Sequence, residues 1–435
     1  MEATLKQSSL TAFLAKSSNT IFSIYAIGAA FTTYFCMYAF RKPFSVGLFE
    51  GTVELPLIGE IGYKILLIVA QVFGYTLSKF MGIKVISEMP SSKRAIGLIF
   101  MIVWAEASLF LFAITPKPWN FIFLFLNGVP LGMVWGLFFG FLEGRRFSEL
   151  LGAGLSASYI VASGAVKSVG KTVMDNGVSE NYMPFVTGLI FFPLFLLCVY
   201  LLKQLPPPTK EDEELRTKRA PMGSEDRWAF LKAYAPGLFF LTGLYMFLTA
   251  YRDFRDNFAR EIWDALGYKS SPEIFTTAEI PIAFGVLIAL ALIMLVKDNT
   301  KAMKTIHLVM IFGTILIGVS TFLYQSGLLA PAYWMISVGL GLYLGYVPFG
   351  CVLFDRLIAA VGFMGTAGFM IYVTDAFGYL GSVGLMLYKN FGQPDLSWLD
   401  FFIGFSYFTS VLCTVCFIFS MGYFTKQTKI KYSEK

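Results

Sequence analysis

Twelve long apolar stretches dominate the sequence and constrain its fold more than any other feature. A helix that crosses the hydrocarbon core of a bilayer, about 30 Å thick, needs about 20 mostly apolar residues. The stretches lie approximately at 21–43, 63–83, 94–115, 119–142, 150–172, 183–203, 232–255, 278–297, 304–325, 331–354, 361–389 and 398–424. Only 14% of the 435 residues are charged, against about 25% in soluble domains. The sequence therefore predicts an all-α polytopic membrane protein with 12 transmembrane helices, and excludes an ordinary soluble enzyme.

Basic residues collect in alternate loops, and this pattern orients the predicted helices. Lysine and arginine near membrane helices stay on the cytoplasmic side. With the N-terminus inside, the cytoplasmic segments hold 22 basic residues and the opposite loops hold seven. Both termini are therefore expected in the cytoplasm, with the chain embedded in the lipid bilayer of a bacterial inner membrane as a multi-pass protein. The same bias accounts for the net charge of +6, so we expect no nucleic-acid partner.

A hydrophilic insert that begins with three prolines at 206–208 divides the apolar stretches into six plus six. The expected organisation is a cytoplasmic N-terminal segment at 1–20, a six-helix bundle at 21–203, a cytoplasmic central loop at 204–231, a second six-helix bundle at 232–424 and a cytoplasmic tail at 425–435. An offset of 210 or 211 residues aligns five helix pairs; YAFR at 38–41 falls on TAYR at 249–252. This offset indicates two pseudo-symmetric parallel repeats, an arrangement in which secondary transporters bind their ligand near the midplane.

Small residues predict where the helices pack closely. The fourth stretch carries Gly128, Gly132, Gly136 and Gly140 at a spacing of four residues, which places them along one face of a helix. Helices in lipid approach each other through such residues. The stripe therefore predicts a close helix contact, and it also suits two surfaces that slide over each other.

Ionisable side chains inside the apolar stretches mark the candidate site. A charge near the bilayer centre costs about 2.5 to 3.5 kcal/mol on insertion scales, so each one is expected to face the protein interior. The candidates are Lys79, Glu106, Lys167, Lys171, Arg252, Asp253, Arg255, Asp256 and Asp375, with Arg41 and Lys42 at the end of a stretch. Basic groups dominate this set. A cavity with surplus positive charge favours a small anionic substrate, since the cations otherwise lack partners.

Arg41 is the most informative of these residues. Tyr34, Tyr38 and Arg41 share one face of the first helix, and an aromatic face that ends in a guanidinium group suits a phosphate or carboxylate. Its repeat counterpart is Arg252, and we expect the two arginines to converge on one site. Two alternatives remain: Arg41 extends its side chain to the membrane interface, or Arg252 pairs with Asp256 within its own helix.

The other charges also allow two interpretations. Lys79 either lines the site or extends to the cytoplasmic surface, and Lys167 is a further candidate ligand for the anion. Glu106 and Asp375 either neutralise a lysine or carry a coupling proton. Two further charged pairs lie at cytoplasmic helix ends: Glu143 with Arg145, and Asp355 with Arg356. They are either salt bridges that act as a gate or charges that only set the membrane topology.

Three segments resemble the major facilitator superfamily, and within it the organophosphate:phosphate antiporters. The family has a tyrosine-rich first helix that ends in Arg-Lys, and the segment at 34–44, YFCMYAFRKPF, is similar to it. The segment at 78–94, SKFMGIKVISEMPSSKR, is similar to the segment that closes helix 2 of the family. The segment at 126–136, LNGVPLGMVWG, is similar to the start of helix 4. The resemblance covers about the first 140 residues. It implies that Arg41 and Lys79 line an anion site, with Arg252 as the helix 7 arginine.

The sequence also departs from that family. Ala162 occupies the position of a substrate-binding histidine in helix 5, with Lys167 about a turn away. Helix 7 carries RDFRD at 252–256, which is more charge than the family has there.

These features favour a monomeric secondary active transporter that moves a small organic anion, a phosphate ester or carboxylate, by alternating access. An antiporter needs no titrating acid, whereas a proton symporter does. Two alternatives are an exporter of a siderophore or an amphipathic drug-like compound, and a transporter-like membrane sensor. We expect no enzyme, cofactor or metal site, because no nucleophile, base and orienting group occur at usable spacing and the pair Cys413 and Cys416 has no further ligand nearby.

Overall fold

The computed structural model describes residues 8–56, 59–87, 89–142, 148–207, 224–361 and 367–433. Its helices in the first half are α1 (Ser9–Lys16), α2 (Asn19–Tyr38), α3 (Tyr63–Ser87), α4 (Arg94–Ile114), α5 (Phe121–Leu142), α6 (Ser148–Asp175) and α7 (Met183–Lys203). Those in the second half are α8 (Ser224–Asn257), α9 (Ala259–Ala265), α10 (Ile274–Thr277), α11 (Glu279–Met294), α12 (Asn299–Gln325), α13 (Pro331–Cys351), α14 (Leu353–Val361), α15 (Ala367–Gly392) and α16 (Trp398–Ser433). Short 3₁₀ helices at Pro43–Val46 and Ser91–Lys93, and an antiparallel hairpin of β1 (Thr52–Leu55) and β2 (Gly59–Gly62), complete the described elements.

The prediction of an all-α polytopic membrane protein with 12 transmembrane helices is confirmed. Within the described ranges, nine helices are long and apolar enough to cross a membrane. Three further long helices, α3, α6 and α15, carry the intramembrane charges Lys79, Lys167 and Asp375 and pack among the nine. Several predicted boundaries shift, most of all those of two helices: α8 begins at Ser224, before the predicted start at 232, and α16 runs to Ser433, beyond the predicted end at 424.

Helix packing repeats between the two halves. In the first half α2 packs on α6 and α7, and α5 packs on α3 and α4. In the second half α8 packs on α15 and α16, and α13 packs on α11 and α12. The contacts between the halves obey the same symmetry, because α6 meets α11 while its counterpart α15 meets α3, the counterpart of α11. The sequence offset thus corresponds to a structural pseudo-two-fold axis between two bundles.

Local sequence signals set several helix ends. The Ser18 hydroxyl accepts the backbone N–H of Ile21 at the start of α2, and the Asp298 carboxylate accepts that of Lys301 at the start of α12. Each satisfies a donor that the first helical turn leaves without a partner. Pro331 occupies the first turn of α13, where its missing N–H costs nothing.

Glycine lets α3 and α5 approach to backbone contact. A Cβ atom added at Gly128 would lie 2.2 Å from the Gln71 carbonyl oxygen, and one at Gly74 would lie 2.1 Å from the Phe125 carbonyl oxygen. At Gly132 the added atom would lie 2.5 Å from the Tyr75 carbonyl oxygen. Gly128 and Gly132 of the predicted stripe therefore form the contact surface with α3, the helix that also carries Tyr75 and Lys79.

Gly128→Ala tests this contact. The added methyl group has no space, so we expect the free energy of unfolding to fall by about 1 to 3 kcal/mol, although alanine favours a helix over glycine by about 1 kcal/mol. The measurement is the melting temperature of the purified protein in detergent. The matched control is Gly243→Ala on α8, where an added Cβ meets no atom within 4 Å, and which should melt at or above the wild-type temperature. Equal melting of the two variants would contradict the close contact.

Candidate functional site

Polar side chains of α3 and α5 fix the backbone turn that carries Arg41. The helix α2 ends at Tyr38, and the chain turns before the 3₁₀ helix that starts at Pro43. Gln71 Nε2 donates to the Arg41 carbonyl oxygen at 3.0 Å, and Asn127 Nδ2 donates to the Phe40 carbonyl oxygen at 3.0 Å. The two amide side chains also bond each other at 2.8 Å. Buried amides of this kind satisfy carbonyl groups that the end of a helix leaves open.

The Arg41 side chain is buried and has no counter-ion among the described residues. The residue is 6% exposed, and its guanidinium carbon lies 3.9 Å from the ring centroid of Tyr75, in cation–π geometry. Its Nε atom has no hydrogen-bond partner in the described part of the chain. Arg41 therefore points into the protein, and the alternative in which its side chain extends to the membrane interface does not agree with the structure.

Arg252 differs from Arg41 because it is fully paired. Its Nη2 and Nε atoms lie 2.7 Å and 3.1 Å from Asp253 Oδ1, and its Nη1 atom donates to the Tyr346 hydroxyl. The Ser382 hydroxyl holds the other Asp253 oxygen at 2.8 Å. The alternative of a pair between Arg252 and Asp256 within α8 is wrong, because Asp253 takes that role and Asp256 faces the opposite half.

The two arginines meet around a set of tyrosines from both halves. Both guanidinium groups interact electrostatically with Tyr38 and Tyr379. The set contains three ring pairs at centroid distances of 5.0 to 5.5 Å: an edge-on pair in the first half, a stacked pair in the second half, and a tilted pair that joins the halves. We call these residues the tyrosine cluster: Tyr34, Tyr38 and Tyr75 from the first half, with Tyr245, Tyr346 and Tyr379 from the second. The expected convergence of Arg41 and Arg252 on one site agrees with this arrangement.

Lys79 and Asp375 bridge the halves beside the tyrosine cluster. Lys79 Nζ lies 3.6 Å from Asp375 Oδ2 and 5.2 Å from the ring centroid of Tyr75. The Tyr245 hydroxyl donates to Asp375 Oδ1 at 2.7 Å and lies 2.9 Å from the Tyr346 hydroxyl. Lys79 thus points into the protein, and Asp375 links it through tyrosines to Arg252.

Lys167 lies in a second ionic group, at the junction of α2, α6 and α8. Asp256 Oδ2 lies 2.5 Å from Lys42 Nζ, and its Oδ1 atom accepts from Lys167 Nζ and from the Ser163 hydroxyl. Lys42 Nζ also lies 3.1 Å from Asn257 Oδ1. We call Lys42, Ser163, Lys167, Asp256 and Asn257 the Asp256 cluster. It ties the halves together, so Lys167 is a connecting residue and not part of the tyrosine cluster.

Further contacts close the same end of the junction. Lys64 pairs with Glu261 across the halves, and Arg260 Nη1 donates to the Val46 carbonyl oxygen at 3.2 Å. The Asn390 side chain accepts the backbone N–H of Gly62 at 2.8 Å, which attaches the β hairpin to α15. By the distribution of basic residues this is the non-cytoplasmic end, so the structure corresponds to a state closed on that side.

A small cavity, partly open to solvent, lies beside the Asp256 cluster. Lys167, Asp256, Arg255 and Glu279 line it. Arg255 Nη1 lies 2.8 Å from Glu279 Oε1, while Arg255 Nε and Glu279 Oε2 have no hydrogen-bond partner. The cavity is polar, and the ion pair inside it fixes α8 against α11.

Glu106 stands apart from these groups. It is buried on α4, and neither carboxylate oxygen has a hydrogen-bond partner. A Cβ added at Gly188 of α7 would lie 2.1 Å from Oε2, so the carboxylate rests against the α7 backbone. No lysine pairs with Glu106 in the described part of the chain, so the expected neutralisation of a lysine by Glu106 is not found.

The remaining candidates have local partners or fall outside the described residues. His307 contacts the Met303 carbonyl oxygen at 2.8 Å and the Ser420 hydroxyl at 3.1 Å inside the second bundle. Lys171 pairs with Asp175 one turn along α6, and Arg356 Nη1 donates to Asn299 Oδ1 at 3.0 Å. Glu143 and Arg145 lie outside the described residues. No group of metal-ligating side chains occurs in the described ranges, where all five cysteines are free.

Sequence reasoning missed several residues that shape the site. It did not single out Gln71 and Asn127, or Tyr75, Tyr346 and Tyr379. A signal existed for the first two, since an amide side chain inside an apolar stretch requires a hydrogen-bond partner. No such signal exists for the tyrosines, because the chain has 22 of them and many lie in membrane helices.

The architecture matches that of a solved membrane protein structure. The crystal structure of a D-xylose-proton symporter superimposes with a TM-score of 0.60, covers 92% of this chain and 97% of its own, and shares 15% sequence identity. At that identity the similarity shows the fold alone, which is that of the major facilitator superfamily. The chain itself belongs to DUF5690, a family of unknown function, whose family model matches residues 43–427. No curated protein matches it in sequence.

Asp256→Asn tests the closed end of the junction. The change leaves Lys42 and Lys167 close together without a counter-ion, and breaking a buried ion pair costs about 3 to 5 kcal/mol. We therefore expect the halves to separate at this end. The measurement uses a cysteine at Ala259, a residue that lines the cavity and is 8% exposed, in a chain whose five native cysteines are replaced.

In the Asp256→Asn variant, the cysteine at position 259 should react with a membrane-impermeant maleimide about tenfold faster or more. The control is Asp175→Asn, which removes a carboxylate whose partner Lys171 lies on the same helix. Equal labelling of both variants would show that the Asp256 cluster does not hold the halves together.

Proposed function

We propose that this protein is a secondary active transporter that moves a small organic anion across the membrane by alternating access. The observation that carries the proposal is the buried guanidinium group of Arg41, which lies at the junction of the halves and pairs with no carboxylate among the described residues. An unpaired charge in a low-dielectric interior is costly, so a site of this kind favours the binding of an anion.

The surroundings of Arg41 support a carboxylate or phosphate ester as the bound group. A guanidinium group offers several N–H donors in one plane, which suits two parallel hydrogen bonds to such an oxyanion. The ring of Tyr75 covers one face of the guanidinium group, and the other tyrosines provide apolar faces and hydroxyl groups for the body of a substrate. Arg252 and Lys79 lie beside the same tyrosines, each paired with an aspartate.

The position of the site supports alternating access. The tyrosine cluster draws residues from both halves, so a movement of one half against the other changes which side of the membrane reaches it. The Asp256 cluster and the pair of Lys64 with Glu261 close one end in this state. We infer that the reverse movement breaks these contacts and opens that end.

The assignment as a transporter is supported by the fold, and the choice of an anion as substrate is supported by residues of this chain. The D-xylose-proton symporter shares the architecture, which supports transport as the class of activity. The choice of an anion rests on Arg41, and the place of operation follows the bias of basic residues, which supports a bacterial inner membrane. Each chain contains both halves of the site, which supports a monomer as the working unit.

Arg41→Gln tests the proposal. A screen of carboxylated and phosphorylated compounds by thermal shift first identifies an anion that stabilises the wild-type protein, because a ligand that binds only the folded state raises its melting temperature. Uptake of that anion into proteoliposomes then gives the activity. Removing the guanidinium charge should lower uptake by about 30-fold or more, as expected when a buried charge pair loses one partner.

The control is Lys171→Gln, since Lys171 pairs within its own helix, away from the tyrosine cluster. It should transport like the wild type. Uptake measured with and without a pH gradient distinguishes proton symport from antiport. The proposal is wrong if Arg41→Gln transports the anion at the wild-type rate, or if no anion stabilises the wild-type protein.

A further inference from the structure

Among the described residues, the charged groups around the tyrosine cluster carry one surplus positive charge. Three of them are cations, namely Arg41, Arg252 and Lys79, and two are anions, namely Asp253 and Asp375. Each acid has its own base: Asp253 Oδ1 lies 2.7 Å from Arg252 Nη2, and Asp375 Oδ2 lies 3.6 Å from Lys79 Nζ. Arg41 is therefore the cation that lacks a carboxylate within the described ranges.

Each of the two acids also accepts a hydrogen bond from a hydroxyl group. Asp253 also accepts from Ser382, and Asp375 accepts from Tyr245. Both carboxylates thus contact a base and a hydroxyl donor. An incoming ligand consequently meets two neutral ion pairs and one free guanidinium group.

The Asp256 cluster does not supply a second anion site. It has two lysines for one aspartate, but Lys42 also bonds Asn257, and Lys167 also bonds the Asp256 carbonyl oxygen. These ammonium groups are engaged in contacts between the halves. Arg41, in contrast, faces the ring of Tyr75 and has a buried Nε atom without a partner.

We infer that the substrate is an organic anion with a single negative charge and an uncharged body that packs against the tyrosines. This inference rests on the proposed function. In a low-dielectric site the net charge decides the cost, since one negative charge neutralises Arg41 whereas two leave an unpaired anion. The uncharged remainder of the ligand then contacts tyrosine rings from both halves, which offer apolar faces and hydroxyl groups.

The test compares ligands that share a body and differ in charge. One series is D-glucitol, D-gluconate and D-glucarate, and another is benzamide, benzoate and phthalate; each runs from neutral to singly and doubly charged. A third series uses the anion found in the transport screen, with its amide and a form that carries an additional carboxylate. Competition binding to purified protein should favour the singly charged member over both others, by about tenfold or more.

Variants that change the charge of the site make the test specific. Asp375→Asn removes one anion and leaves two surplus positive charges, so the preference should shift toward the doubly charged member by about tenfold. Asp253→Asn makes the same change at the other pair and serves as an independent variant if the first fails to fold. Arg41→Gln removes the surplus charge and should abolish the advantage of the singly charged member over the neutral one. Asp175→Asn removes a carboxylate near the end of α6 and should keep the wild-type order.

The outcomes separate this inference from the proposed function. If the wild-type protein binds the doubly charged member more tightly, or if neither aspartate variant changes the order, the inference of a single charge is overturned while anion transport stands. If no anion of either charge binds in any series or in the screen, the proposed function itself fails.

Discussion

The cost of burying charge in a low-dielectric interior determines how the two halves of this protein meet. Asp256 on α8 accepts hydrogen bonds from Lys42 and Lys167, which belong to the other half. Lys79 and Asp375 form a second connection across the same junction. None of these side chains can remain ionised in lipid alone, because an isolated charge there is too costly. The ionised residues of one half therefore depend on the other half, and the packing of α6 and α3 against the second bundle follows from this requirement.

Much of the architecture could be predicted from sequence because the signals are local or periodic. Hydropathy marks the apolar stretches, and the offset that aligns YAFR at 38–41 with TAYR at 249–252 reports the repeat directly. The offset predicts equivalent packing in the two halves, and the contacts of α2 and α8 agree with it. The burial of Arg41 did not follow from the sequence, which left an extension to the membrane interface open; the structure shows the residue buried.

The pairing of the charges could not be predicted in the same way. Helical spacing suggested a partner for Arg252 at Asp256, four residues along α8, but Asp253 takes that place. The reason lies outside α8: the end of α2 and the middle of α6 bring Lys42 and Lys167 to Asp256. Spacing within one helix carries no information about such neighbours. For the same reason the expected role of Lys167 as an anion ligand has no counterpart in the geometry, where it joins the halves.

Adjacent residues connect the binding site with the closed end of the junction. Arg41 reaches the tyrosine cluster, while Lys42, the next residue, reaches Asp256. Gln71 and Asn127 hold this turn through the backbone of residues 40 and 41. When one half moves against the other and separates Lys42 from Asp256, the turn moves with the first half, so Arg41 changes its position relative to the tyrosines of the second half. Conversely, an anion that fixes Arg41 against the tyrosines restricts the positions open to Lys42. The binding site and the closed end of the junction thus share the turn at residues 40 to 42.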